Sequence, residues 1–97
     1  MKLEYTQRAR DDLTQIVSYI AKDSPENAHA IFEEIKHAVG QLSVFPESGI
    51  FPKDIYIKSA GYRMLVVKKF LVFYKIQDDT ILIAAIIHGA QNYKNLF

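Results

Sequence analysis

The first part of the chain carries hydrophobic residues at the spacing of an amphipathic helix. Residues Lys2 to Tyr5 alternate like a short strand, and Thr6 then stands where a helix N-cap belongs. In the stretch that follows, charged residues fill one face, and the opposite face carries a hydrophobic stripe of Ala9, Leu13, Ile16, Val17 and Ile20. This pattern predicts a strand followed by a helix whose stripe packs against another element.

The segment DSPEN ends this helix and begins a second one. Ser24 can cap the new helix, Pro25 suits its first position, and Glu26 complements its positive end. The second helix is predicted to run from about Pro25 to about Leu42, and its stripe consists of Ala28, Ile31, Phe32, Ile35, Val39 and Leu42. Because the connection is short, the two helices are predicted to be antiparallel neighbours. We expect this hairpin to pack on a sheet through Leu13, Val17, Ile20, Ile31, Phe32, Ile35 and Val39.

The second half of the chain has the pattern of strands. From Phe45 to Gly61, prolines, glycines and polar residues predict a long loop, within which DIYI can form a short extended piece. Three segments rich in β-branched and aromatic residues follow, YRMLVV, FLVFYKI and TILIAAII, with KK and DD between them as tight turns. The sequence therefore predicts one domain over residues 1–97 with an α+β fold in the order β-α-α-β-β-β. In this fold the helical hairpin packs on one face of a small antiparallel sheet.

The predicted turns also predict the strand register. With Lys68-Lys69 and Asp78-Asp79 at the turn centres, Leu65 lies opposite Val72 and Val72 lies opposite Ala85. One predicted face consists of Arg63, Leu65, Val67, Phe70, Val72, Tyr74, Ile81, Ile83, Ala85 and Ile87, and the other of Tyr62, Met64, Val66, Leu71, Phe73, Lys75, Leu82, Ala84, Ile86 and His88.

Both predicted faces are largely apolar, so each of them needs a cover. The helices can cover only one face. The second face is either covered by another protein, which the size of the apolar patch favours, or by the long loop and the C-terminal tail of the same chain.

Composition and charge narrow the range of functions. A chain of 97 residues that is 49% hydrophobic suits one globular domain, and the absence of cysteine excludes disulfides and thiolate metal sites. His29 and His37 lie too far apart along a helix to form a ligand pair, so we expect neither a metal nor a cofactor. The charged N-terminus lacks a signal peptide, and no apolar stretch is long enough to span a membrane, which predicts a cytoplasmic protein. A net charge of +1 gives little attraction to nucleic acid.

The order of the elements, together with several short motifs, resembles the RelE/ParE superfamily of bacterial toxins. The motifs are ARDDLTQIVSYI in the first helix, FPESG in the loop, GYR and VFY in the strands, and IIHGAQNY near the end. The resemblance covers nearly the whole chain. It implies the toxin of a two-component toxin-antitoxin module, whose cognate antitoxin wraps an extended or helical segment around it. In this superfamily RelE-like toxins cut messenger RNA on the ribosome, whereas ParE-like toxins poison DNA gyrase and have no recognised nuclease site.

Arg63, His88 and Tyr93 are the candidate catalytic residues. Metal-free RNA cleavage requires an acid, a base and cations at the phosphate. By resemblance, Arg63 matches the strand arginine that RelE-like nucleases place near the scissile phosphate, and His88 and Tyr93 lie where such enzymes place acid and base groups. However, Ala90 and Gln91 stand where close relatives often carry arginines. The predicted register also puts Arg63 and His88 on opposite faces unless a bulge intervenes.

Each of these residues also has a structural interpretation. Arg63 could form a salt bridge, His88 could end the sheet, and Tyr74 and Tyr93 could be packing aromatics with bonded hydroxyls. The candidate partner-binding residues lie on the second face or in the apolar tail and are Tyr62, Met64, Phe73, Leu96 and Phe97.

Three functions follow in order of preference. The first is a growth-inhibiting toxin that binds DNA gyrase in the manner of ParE. The second is a ribosome-dependent nuclease that cuts messenger RNA, which the weak net charge disfavours. The third is an inactive member that only binds its antitoxin and regulates its own operon.

Overall fold

The predicted order of elements is confirmed by the structure. A computed structural model describes residues 1–91, 93, 96 and 97. Its elements are β1 (Lys2–Tyr5), α1 (Gln7–Ala21), α2 (Pro25–Gln41), α3 (Ile55–Ser59), β2 (Tyr62–Val67), β3 (Phe70–Gln77) and β4 (Thr80–His88). Among the elements of these described residues, no helix has the length and apolar character needed to cross a membrane.

The helices begin where the sequence predicts. The side chain of Thr6 accepts a hydrogen bond from the Ala9 backbone N–H at 3.0 Å, and Ser24 accepts one from Asn27 at 3.2 Å. The interpretation of DIYI as an extended piece is wrong, because these residues begin the short helix α3. Asp54 caps α3 by accepting hydrogen bonds from two backbone N–H groups of its first turn.

Within the described part of the chain, the sheet has four strands in the order β1-β4-β3-β2 and is mixed. β2, β3 and β4 form the predicted antiparallel meander, but β1 runs parallel to β4. A sheet that is antiparallel throughout was therefore a wrong expectation. Two parallel neighbours cannot be joined by a tight turn, and the helical hairpin is part of the long connection between β1 and β4.

The predicted register is correct for one strand pair and wrong for the other. Leu65 lies opposite Val72 as predicted, but Val72 lies opposite Ile86 and not Ala85. The register shifts between Phe73 and Tyr74, and Ala84 is the extra residue of a β-bulge. Because side chains alternate, the bulge exchanges the faces of the residues that follow it.

β1 pairs with β4 only as far as Ile83, so the backbone groups of β4 near the bulge have no strand partner on that edge. Residues at and after the N-cap of α1 form hydrogen bonds with them instead. The Thr6 N–H donates to Ile83 O at 2.9 Å, and its hydroxyl donates to Ala84 O at 3.0 Å. The Ile86 N–H donates to a carboxylate oxygen of Asp12 at 2.9 Å. Thr6 and the α1 residue Asp12 therefore bind the edge of β4 beyond the end of β1.

The hydrophobic core lies on both sides of the sheet. On the helix side, Leu13, Ile35 and Val39 are buried as predicted, while Phe32 is only partly buried. The remaining predicted contacts of the hairpin also pack against this core while staying partly exposed, and they are Val17, Ile20 and Ile31. Ile86, which was predicted on the second face, belongs to this core because of the bulge.

The second face of the sheet is covered by the chain itself. Its buried residues are Leu71, Phe73, Ala85, Ile87 and, from α3, Ile57. Residues of β2 and the tail pack against them, namely Tyr62, Met64, Tyr93 and Leu96. The expectation that another protein covers this face is wrong, and the alternative of loop and tail is correct.

Candidate functional site

The first candidate catalytic residue, Arg63, holds the loop between α2 and α3. One of its guanidinium nitrogens donates to the backbone oxygens of Glu47 at 3.4 Å and Gly49 at 3.3 Å. The guanidinium carbon also lies 4.4 Å from the centre of the Phe51 ring, which is cation–π distance. The charge of Arg63 is thus placed against the loop.

Tyr74, the cross-strand neighbour of Arg63, holds the same loop from inside. Its side chain is fully buried, and its hydroxyl accepts from the Gly49 N–H at 2.9 Å and donates to Pro46 O at 2.8 Å. Burial raises the pKa of Tyr74, so the hydroxyl keeps its proton and remains a donor. The interpretation of Tyr74 as a packing aromatic with a bonded hydroxyl is correct.

His88 lies exposed at the end of β4. Its ring meets the edge of Phe70, with 5.6 Å between ring centres. The backbone N–H of Ala90 donates to Nδ1 at 3.0 Å, and the backbone N–H of His88 donates to the Gln91 side chain at 3.1 Å. With Nδ1 accepting a hydrogen bond, the proton of the neutral imidazole lies on Nε2. In this arrangement neither nitrogen offers a free lone pair to a substrate hydroxyl.

A groove of about 850 Å³ separates this end of the sheet from the helices, and His88 lies at its edge. Ile16, Ile20 and Phe70 supply apolar lining, and Lys69 adds a cation. The groove can accept an apolar side chain or segment, but it does not contain Arg63.

Arg63 and His88 lie on the same face but at opposite ends of the sheet. The bulge corrects the prediction of opposite faces, because the strand partner of His88 is Phe70 and that of Arg63 is Tyr74, and both partners belong to the helix-side core. Phe70 and Tyr74 are four residues apart along β3, which is about 13 Å at the rise of a strand. The two side chains therefore cannot meet at one phosphate group in this arrangement.

Tyr93, the third candidate, is on the other side of the sheet. Its ring packs against Phe73 with 5.2 Å between centres, inside the second-face cluster. The structure thus distributes Arg63, His88 and Tyr93 over three separate places.

The candidate partner-binding residues do come together, but largely as interior. Phe73 is fully buried, and Tyr62, Met64 and Leu96 pack against its cluster. Phe97 stacks flat on Tyr62, with 4.3 Å between ring centres, and remains 54% exposed. Of the five, only Phe97 presents much of its side chain to solvent.

The exposed hydrophobic residues that sequence analysis missed are concentrated in the long loop and the start of α3. Val44, Phe45, Ile50, Phe51, Ile55 and Tyr56 are all exposed. The prolines and glycines of this segment signalled a loop, but they gave no indication of which apolar residues would face outward.

The sequence of the chain matches a known protein family and a known relative. Residues 3–93 match a family model described as the ParE toxin of the type II toxin-antitoxin system parDE. The chain is 30% identical over 92 residues to Y4kP of Sinorhizobium fredii, a protein whose name describes it as a toxin, and the match covers 95% of this chain and 92% of that protein.

Two solved structures have a similar fold. A chain of the chromosomal ParDE toxin-antitoxin system of P. aeruginosa superposes with a TM-score of 0.74 at 25% identity, covering 91% of this chain and 95% of that one. A chain of the toxin-antitoxin complex RelBE2 of Mycobacterium tuberculosis superposes with a TM-score of 0.61 at 22% identity, covering 93% and 92%.

Proposed function

Because the chain belongs to the ParE toxin family of type II toxin-antitoxin systems, we propose that it arrests bacterial growth by binding DNA gyrase. Family membership makes it the toxin component of such a system. A cognate antitoxin neutralises it, in line with the ParDE toxin-antitoxin system and the RelBE2 toxin-antitoxin complex to which its structural relatives belong. A gyrase target also requires a cytoplasmic toxin.

The observation that carries the gyrase proposal is the separation of the three candidate catalytic residues. Cleavage of RNA needs an acid, a base and a cation within hydrogen-bond reach of the same few atoms. Arg63 is engaged with loop carbonyls, His88 is at the other end of the sheet, and Tyr93 is on the other face. A toxin that acts by binding needs no such convergence.

The charge of the chain supports the same proposal. Phosphate contacts dominate affinity for nucleic acid, and a nuclease that works on the ribosome has to approach a polyanionic surface. This chain has a formal net charge of +1. It therefore lacks the strong basic character that favours a ribosomal target.

The test combines expression without antitoxin, a supercoiling assay with purified gyrase, and mapping of messenger RNA ends. We expect growth arrest and inhibited supercoiling without new messenger ends. His88→Ala should reduce the arrest only modestly, whereas loss of a general acid or base lowers a cleavage rate by about 100-fold or more. His29→Ala, on the exposed surface of α2, is the matched control. If His88→Ala abolishes both toxicity and messenger cleavage in a folded protein, the nuclease alternative is correct.

A further inference from the structure

Exposed apolar residues are concentrated in one segment of the chain. Among the described residues, ten large hydrophobic side chains remain exposed, and six of them lie in residues 44–56. These six, which we call the loop patch, are Val44, Phe45, Ile50, Phe51, Ile55 and Tyr56, and their exposed fractions run from 50% to 82%. Single exposed hydrophobic residues are ordinary on a protein surface, but such a concentration marks an interaction site.

The backbone beneath the loop patch is fixed from several directions. Tyr74 binds it at Pro46 and Gly49, and Arg63 binds it at Glu47 and Gly49. Ile50 adds to the edge of β2 by exchanging two backbone hydrogen bonds with Met64, at 2.9 and 2.7 Å. The loop is therefore organised before any partner arrives, which lowers the entropy lost on binding.

The contact between the loop and Tyr74 is close enough to demand glycine. A Cβ atom on Gly49 would lie 2.5 Å from the Tyr74 hydroxyl oxygen and 3.0 Å from Met64 O. The buried Tyr74 and the backbone of β2 thus hold in place a segment whose own apolar side chains face solvent. Because these apolar side chains are exposed, they add little hydrophobic stabilisation to the fold, and a role in binding accounts for them better than packing does.

The charges around the loop patch indicate the chemistry of the partner. Phe51 has the Arg63 guanidinium 4.4 Å and the Lys58 ammonium 5.4 Å from its ring centre, and Lys53 is exposed in the same segment. Two carboxylates lie in the same segment, Asp54, one oxygen of which accepts the backbone N–H groups that it caps, and the exposed Glu47. The three cations outnumber these two carboxylates, and they favour an acidic partner surface.

We infer that the loop patch is the surface through which this toxin binds an acidic region of its protein target, with Arg63 and Tyr74 as positioning residues. This inference rests on the proposed function and names the surface that it requires. A protein fits better than a nucleic acid, because the chain has a formal net charge of +1 and three of the six side chains are aliphatic. The other three, Phe45, Phe51 and Tyr56, can pack against a protein surface as well as against bases.

The variant that tests the inference is Phe45→Ser combined with Tyr56→Ser. Both side chains are mainly exposed, at 64% and 82%, so their loss should leave the fold intact, which circular dichroism and a thermal melt check. Tyr19→Ser is the matched control, because Tyr19 is 73% exposed but lies on α1. We expect the double variant to lose gyrase affinity by about tenfold or more and the control to bind like wild type. Unchanged binding by the double variant, or an equal loss in the control, would overturn the inference.

Salt dependence tests the acidic character of the partner. We expect the affinity of wild type for gyrase to fall as the salt concentration rises, and to fall less steeply in Lys53→Gln combined with Lys58→Gln. An affinity that does not change with salt contradicts an acidic partner surface. Should the double serine variant melt early, Ile55→Ser alone repeats the binding test at a site that is 68% exposed.

Failure of the gyrase proposal is distinguishable from failure of the loop patch. If wild type does not bind gyrase but still arrests growth, the patch is judged by growth. Arrest lost in the double serine variant and kept in Tyr19→Ser supports the patch, and arrest kept in both overturns it. If wild type neither binds gyrase nor arrests growth, both proposals are wrong.

Discussion

The Arg63 guanidinium could serve either to bind a phosphate group or to hold the loop, and in this structure it donates to two backbone carbonyls of the loop. Sequence alone cannot separate these roles, since a strand arginine has the same chemistry in both. What separates them is the position of Gly49, which Arg63 and Tyr74 reach together from neighbouring strands. The candidate site could thus be named residue by residue from the sequence, but its geometry depends on contacts between segments far apart in the chain.

The close approach at Gly49 gives a prediction at this scale. Gly49→Ala should lower the free energy of unfolding by about 1–3 kcal/mol, because the new methyl group meets the buried Tyr74 hydroxyl and the Met64 carbonyl. Gly40→Ala is the control and should change stability in the opposite direction, by about 0.5–1 kcal/mol, because its methyl group enters open space on α2. Chemical denaturation measures both. Equal stability of the two variants would mean that the loop does not lie against Tyr74.

Elements whose signals are local were predictable from the sequence, and those set by distant contacts were not. Neighbouring residues determine the caps at Thr6 and Ser24 and the two-residue turns between the last three strands. The structure has these caps and turns where the sequence predicted them. The bulge at Ala84 was missed, because β4 itself contains no glycine or proline to signal it. It is accommodated by the side chains of Thr6 and Asp12, more than seventy residues earlier in the chain. The error moved His88 to the wrong face.

The contact between Asp12 and the bulged strand gives a prediction at the scale of elements. Asp12→Ala should cost about 1–3 kcal/mol, mainly because it removes the acceptor of the partly buried hydrogen bond from the Ile86 N–H. The half-exposed ion pair of Asp12 with Arg8, which is lost as well, contributes little. The exchange of the Ile86 amide hydrogen, followed by NMR, should become faster. Asp11→Ala is the control: Asp11 is exposed, and within the part of the chain that the structure describes its side chain accepts a hydrogen bond only from Gln7, one turn away. If the Ile86 amide exchanges equally slowly in both variants, the bulge is held by the strands alone.

At the scale of the whole molecule, the sheet is a layer between two unequal covers. The helical hairpin covers one face, while α3 and the tail cover the other with far fewer residues. The sequence correctly indicated that both faces were apolar, but the cover of the second face could not be decided, since it depends on where the tail turns after β4. Because the tail is part of the fold, loss of toxicity on its removal would not by itself identify it as the surface that binds the target.

Removal of the tail therefore tests the fold before it tests the function. A chain ending at Gln91 lacks Tyr93, Leu96 and Phe97 and should expose the apolar second face around Phe73. We expect it to bind a hydrophobic dye and to self-associate in light scattering, because an apolar face of this extent is not stable in water. Phe97→Ala is the milder control. It should cost about 0.5–1.5 kcal/mol through the lost stack on Tyr62 and leave the chain monomeric, because Phe97 is already half exposed. A shortened chain that stays monomeric and binds no dye would show that α3 and the strands close the second face without the tail, and the tail would then be free to bind a partner.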